Sequence, residues 1–283
     1  MLPFKTIVIV ASRPQRLPTQ LRVGAELATR FQSHLVGLFI LPRALAPFTG
    51  RASSSGWPAV ETERARFRSD SQRMKVTFEQ ASNGRNFTSE WIHEDADYTA
   101  AASILMQRGR PADLIISGPM DGASKPGRLS NETERMVVES GRPVLLIPKI
   151  VASLPVGRRV LIAWNGSRES AKAAFDALPL LESAHHIKVL RIAAGTEDGT
   201  IGECQSAERF CQTLARHDVH ATAETITLSG ADTGSALKSA VKAENADLLV
   251  MGCHGRPRGC EFILGSASQR ILCDLPVPVL MSH

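Results

Sequence analysis

Apolar and polar positions along this chain alternate between two rhythms. Short, continuous apolar runs are separated by longer stretches whose apolar residues recur every three or four positions. Thr6–Val10 (T-I-V-I-V) is β-branched and apolar, as in a strand buried on both faces. Pro18 and Thr19 then open a helix with Val23, Leu27, Ala28 and Phe31 on one face. The pattern continues with a strand at Ser33–Leu41, a Pro/Gly/Ser-rich loop to Pro58, a polar helix from Ala59 to Ser82 and a strand at Phe87–Ile92. A helix over Thr99–Gly109, a strand at Asp113–Ser117, a helix over Asn131–Ser140 and a strand at Pro143–Ile147 complete the first half.

After a link at Val151–Arg158 the same rhythm restarts. Val160–Ala163 is a strand, and Asn165-Gly166-Ser167 leads into a helix with Ala171, Ala174, Phe175 and Leu178 on one face. Strands are predicted at Ile187–Ile192, Glu224–Leu228 and Asp247–Met251. Helices are predicted over Cys204–His217, with Ala207, Phe210, Cys211 and Leu214 inward, and over Ser235–Glu244. A glycine-containing loop, a helix ending at Cys273 and a strand at Val277–Met281 close the chain.

Alternating strands and helices imply parallel sheets joined by right-handed crossovers. The halves also repeat in sequence. A-D-L-I-I-S-G at Ala112–Gly118 matches A-D-L-L-V-M-G at Ala246–Gly252, and R-P-V-L-L-I-P at Arg142–Pro148 matches V-P-V-L-M-S at Val277–Ser282. This is an internal duplication of roughly 140 residues, read as two α/β domains of one fold, 1–150 and 151–283.

Composition narrows the function classes. No apolar run is long enough to span a bilayer, and the N-terminus leads straight into a strand, so the expected location is cytoplasmic. The five cysteines are Cys204, Cys211, Cys253, Cys260 and Cys273; the scatter reads as reduced thiols, with metal or redox use of Cys253 and Cys260 the minor alternative. The net charge of +5 is unevenly placed: residues 1–150 carry 20 Lys and Arg against 14 Asp and Glu, a net of +6, and residues 151–283 carry 13 against 14, a net of −1. Arg64, Arg66, Arg68, Arg73 and Lys75 fall on one helix and read as a solvated face. Few aromatics and a single Tyr argue against a nucleic-acid platform.

The most informative stretch is Leu248–Ser266, L-L-V-M-G-C-H-G-R-P-R-G-C-E-F-I-L-G-S. A strand stops on glycine, a basic loop follows, and a helix begins. Glycines let backbone amides approach an anion, and a helix N-terminus adds unpaired N–H donors. Neither the P-loop nor the dinucleotide fingerprint is present. A purely structural reading stands beside this one. Ser266 with Gln269 fits a capping box, and Gly252 and Gly255 serve any tight turn.

The spacing G-x2-G-x9-G-S at Gly252, Gly255, Gly265 and Ser266 resembles the ATP-binding signature of the universal stress protein family, and the duplication resembles its tandem type. The resemblance implies a five-stranded parallel sheet in each half, order 3-2-1-4-5, with helices on both faces. It also implies pairing of the halves as a pseudo-dimer through their last strands, and a homodimer as a further option. The implied ligand is an adenine nucleotide, ATP with Mg²⁺, in a regulatory or sensor role. Its implied contacts are Ala163, Trp164, Asn165, Val189, Leu190, Met251, Gly252, Gly255, Arg256, Gly265, Ser266, Ala267 and Ser268. Asn165 stands where the family usually has Asp, and Trp164 is read as packing in preference to a base contact. Arg256 and Arg258 suit phosphate oxygens. The first half has lost the pattern: Ser12 takes the Asp position, Asp121 the second glycine, and Ser130-Asn131 the Gly-Ser pair. With Asp121, Glu132 and Glu134 placed to repel phosphates, it is expected to bind no ATP, or something else altogether. No catalytic constellation and no metal-ligand set stand out; His185-His186 reads as a surface pair, because neighbours on a strand face opposite ways. An ATP-binding regulator, a nucleotide-free interaction or ligand-binding scaffold, and an enzyme on an adenylated substrate remain in descending order.

Overall fold

The computed structural model of the chain describes residues 3–43, 57–97, 100–119, 132–193, 205–228, 232–253, 255–258 and 261–283. Its contacts group Phe4–Gly118 into one compact unit and Pro119–His283 into another.

The first unit contains β1 (Thr6–Val10), α1 (Leu17–Phe31), β2 (His34–Arg43), α2 (Trp57–Ser82), β3 (Thr88–Asp97), α3 (Ala101–Gly109) and β4 (Leu114–Ser117). Its strands lie in the order β3-β2-β1-β4, and each neighbouring pair is parallel. Ile7, Ile9, Leu35, Leu114 and Ile116 are fully buried at its centre. On α1 the predicted stripe of Val23, Leu27 and Ala28 is buried. On α2, Met74 and Phe78 face inward while Arg66, Arg68, Arg73 and Lys75 are exposed, as a solvated face requires. Strand β3 runs past the predicted end at Ile92, because every residue from His34 to Arg43 has a partner between Thr88 and Asp97. The polar run H-E-D-A-D conceals an edge strand whose backbone pairing does not depend on apolar side chains.

The second unit contains α4 (Glu132–Glu139), β5 (Val144–Leu146), β6 (Arg159–Trp164), α5 (Arg168–Asp176), α6 (Leu178–Leu181), β7 (His186–Ala193), α7 (Ser206–Ala215), β8 (Thr222–Thr227) and α8 (Thr233–Ala243). It continues through β9 (Leu248–Gly252), β10 (Gly255–Arg258), β11 (Glu261–Leu264), α9 (Ser266–Cys273) and β12 (Val279–Ser282). Strands β8-β7-β6-β9-β12 are parallel, which is the order 3-2-1-4-5 expected of the repeat. Strand β5, the last of the first repeat, pairs antiparallel with β12, Leu145 opposite Leu280. Compact unit and sequence repeat are therefore different stretches of chain: β5 joins the second unit through that ladder.

One device recurs in both repeats. In each A-D-L motif the Asp carboxylate accepts amides from the start of the first strand. Asp113 receives the N–H groups of Lys5 (2.8 Å) and Thr6 (2.9 Å). Asp247 receives those of Gly157 (2.9 Å), Arg158 (3.2 Å) and Arg159 (3.2 Å). The carboxylate satisfies donors that a strand end leaves open.

Two expectations are corrected. Phe175 is 41% exposed rather than inward. The buried side of α5 is made of Glu169, Ser170, Ala173 and Ala174, and Phe175 turns its edge to Phe210 instead. The stretch after Gly252 is not a continuous loop. Gly255–Arg258 and Glu261–Leu264 pair as an antiparallel hairpin, whose apolar F-I-L run is compatible with a strand.

Candidate functional site

Strand order reverses between β6 and β9, the switch point beyond whose strand C-termini doubly wound sheets generally form their ligand crevice. Ala163 fixes the local register, lying opposite Met251 on β9 and Leu190 on β7. Sequence-predicted residues from three strands thus converge, though not all at the rim. Val189 and Leu190 are buried mid-strand, and both have partners on β6 and β8, so their backbone groups belong to the ladder. The end of β7 lies further on, at Ile192 and Ala193.

Trp164 ends β6. Its indole stacks on Phe210, with centroids 4.1 Å apart, and its Nε1–H donates to Ser206 Oγ at 3.2 Å. This is the packing role expected of it. Asn165 is exposed, and its Oδ1 accepts the Ser167 amide at 3.1 Å. Gly166 takes φ +73°, a left-handed conformation that favours glycine. Ser167 caps α5, its hydroxyl oxygen accepting the Ser170 amide at 3.2 Å.

Across the crevice, Gly252 sits against the first turn of α5. A Cβ there would lie 2.4 Å from the carbonyl carbon of Glu169 and 2.5 Å from the Ser170 nitrogen. Packing alone therefore demands this glycine. Cys253 follows, fully buried. Its amide donates to the Ser282 carbonyl at 2.8 Å, and its own carbonyl accepts from His283 Nδ1 at 2.8 Å.

Helix α9 begins with Gly265 at the N-cap position in extended conformation, with no side-chain cap and no acidic residue in the first turn. The capping-box reading of Ser266 and Gln269 is not realised, since Ser266 lies inside the helix and the cap residue has no side chain. Among the described residues the amides of Ser266, Ala267 and Ser268 have no acceptor, while that of Gln269 bonds Gly265 O at 3.0 Å. Ser266 is exposed, and Ser268 is buried.

The electrostatics are mixed. Glu169 is buried in the first turn of α5. Burial alone would raise its carboxyl, but hydrogen bonds from Arg168, from its own backbone and from Ser167 outweigh that and bring it down to about 2. Burial pushes the Cys253 thiol up to about 12; a hydrogen bond with Ser268 works against this, and the charges of Glu134 and Glu169 add to it. On α4, burial raises Glu134 above the usual carboxylate range. The first repeat supplies no counterpart to test, because Asp121, Ser130 and Asn131 lie outside the described residues, as do His254, Gly259 and Cys260. Arg256 and Arg258 fall on β10, and their side chains are likewise outside the described part. His186, one of the expected surface pair, reaches Glu244 at 3.4 Å, while His185 is exposed.

A profile of the universal stress protein family matches residues 157–283. The "Universal stress protein in QAH/OAS sulfhydrylase 3'region" of Thermus aquaticus is 30% identical over 136 residues, covering 44% of this chain and 97% of that protein. The chain belongs to the universal stress protein family. A crystal structure of a universal stress protein from Archaeoglobus fulgidus superposes with a TM-score of 0.67 at 16% identity, covering 98% of this chain and 97% of that one. A putative universal stress protein from Pseudomonas aeruginosa gives 0.57 at 16% identity, over 99% and 93%. At these identities the structures speak for the fold, and they carry it across both repeats of this universal stress protein. No described helix is long and apolar enough to cross a membrane. The described residues contain no group of three or more His, Cys, Asp or Glu able to hold a metal ion.

Proposed function

We propose that this universal stress protein is a cytoplasmic regulator or sensor that binds an adenine nucleotide, ATP with Mg²⁺, in its second repeat, residues 151–283. The first repeat, residues 1–150, is then a degenerate partner domain. The observation that carries the reading is the bare N-terminus of α9. Its three amides, without an acceptor among the described residues, and the positive end of its dipole offer donors to phosphate oxygens. They stand beside the crevice where doubly wound sheets receive ligands.

Gly252, Gly255, Gly265, Ser266, Ala267 and Ser268 form the phosphate side of this reading, with Arg256 reaching oxygens from the hairpin. Asn165 and Ala163 flank the nucleoside. A Mg²⁺ ion would be held by phosphate oxygens, waters and at most the exposed Ser266 hydroxyl, because Ser268 is buried. No catalytic role is assigned in this reading; hydrolysis, if it occurs, is slow. A nucleotide-free scaffold, pairing or binding a ligand through the same fold, is the second reading, favoured by Asn165 where the family usually has Asp and by the lost pattern of the first repeat.

A thermal-shift series separates the two. Ligand that binds only the folded state raises Tm in proportion to RT ln(1 + [L]/Kd). ATP with Mg²⁺ is expected to raise Tm in the native protein and to leave Gly265→Asp unmoved. Gly265 has φ −61° and ψ 149°, which Asp adopts readily as an N-cap, so the variant folds while its carboxylate takes the open amides. An equal response from the variant removes the cradle assignment.

A further inference from the structure

We infer that His283 is a positioning residue for the cradle, holding the backbone from which its glycine stretch departs. The inference rests on the nucleotide reading above and adds a residue that the glycine spacing does not include. The ladder between β9 and β12 ends with Gly252 opposite Ser282. One residue further on, both polar backbone groups of Cys253 are still held. Its amide donates to the Ser282 carbonyl at 2.8 Å, and its carbonyl accepts from His283 Nδ1 at 2.8 Å. A carbonyl only accepts, so the ring carries a proton on Nδ1. The His283 side chain thus supplies the bond that a strand partner supplies in mid-sheet. Gly252 is itself packed on the α5 backbone. The chain therefore leaves for Gly255 from two consecutive residues that are both fixed.

The two repeats differ at this clamp. R-P-V-L-L-I-P of the first repeat and V-P-V-L-M-S-H of the second put Pro148 in register with His283. A-D-L-I-I-S-G-P and A-D-L-L-V-M-G-C put Pro119 in register with Cys253. Proline has no backbone N–H, and its ring carries no donor. The first repeat can make neither bond of the clamp, and it is also the repeat without the G-x2-G-x9-G-S spacing. Clamp and spacing occur together in one repeat and are missing together from the other.

The effect on binding is preorganisation. A loop that starts from a fixed residue has less order to gain when a ligand arrives, and the cost of ordering is subtracted from affinity. Once the Cys253 carbonyl is released, that cost falls on the nucleotide. A purely structural His283 would lower stability on removal and leave affinity alone.

Isothermal titration of the full chain with Mg²⁺-ATP, paired with urea denaturation, separates the two roles. His283→Ala is expected to weaken binding about fivefold, the net contribution of one hydrogen bond. His283→Asn sets an amide donor the same number of bonds from Cα as Nδ1, and should restore affinity to within about twofold of native. An alanine variant that loses stability yet binds like the native chain overturns the inference and leaves nucleotide binding standing. An asparagine variant as weak as the alanine variant does the same. Absence of binding by the native chain overturns the nucleotide reading and this inference together.

Discussion

Gly252 and Glu169 are in backbone contact: a Cβ on Gly252 would fall 2.4 Å from the Glu169 carbonyl carbon and 2.8 Å from its oxygen. Strand β9 and helix α5 approach this closely only because position 252 lacks a side chain. The obstructing atoms are main chain and cannot rotate away. Gly252→Ala is therefore expected to lower the unfolding free energy by about 1–3 kcal/mol, the usual cost of overpacking. A urea titration at constant m-value measures it. An unchanged midpoint would show that the two elements separate freely.

Asp247 should be costly to remove. Its carboxylate takes three amides at the start of the central strand β6. Asp247→Ala leaves those donors to water or to nothing, and a loss of roughly 2–4 kcal/mol is expected. Asp113→Ala removes the matching clamp in the first repeat, with two amides at stake, and should cost less. Chemical denaturation of both variants checks the order.

Acid should weaken the fold through Glu169. Its carboxyl in the folded chain is held at about 2, below the ordinary value near 4.3 of an unfolded glutamate. A depressed carboxylate contributes stability that is complete above the unfolded value and is lost as pH falls through the folded one. The window therefore runs from about pH 4.3 down to about 2, and the contribution is on the order of 3 kcal/mol. Glu169→Gln should flatten this part of the stability profile. A variant as acid-sensitive as the native chain would contradict the assignment.

The cysteines should differ sharply in reactivity. Cys273 is exposed, and Cys253 is buried with its thiol pushed up to about 12. At pH 8 the thiolate fraction of Cys253 is then roughly a thousandfold below that of an ordinary cysteine. Brief alkylation followed by peptide mapping should label Cys273 in the native protein and Cys253 only after denaturation.

Much of the fold is legible in the sequence. Thr6–Val10 and Leu248–Met251 declare buried strands by composition alone, and the repeated A-D-L motif shows that the same unit is used twice. What escapes is set by pairing rather than by local pattern. The polar end of β3 is a strand because β2 lies alongside it. The hairpin of β10 and β11 is hidden in a glycine- and arginine-rich stretch that reads as loop. The site is only partly legible: its glycines announce a close approach, but not that Gly252 makes that approach to a helix backbone. Ser268 looks like an open hydroxyl in sequence, and its burial against Cys253 depends on how α9 docks on the sheet.

The bare start of α9 carries the account, and the amides themselves report on it. In a ¹⁵N-labelled sample, titration with Mg²⁺-ATP should shift the resonances of Ser266, Ala267 and Ser268 first and most, with Cys253 and Asn165 following at the same apparent affinity. If those three amides stay in place while ATP shifts others, or while nothing in the chain moves, the phosphate cradle is not at this helix.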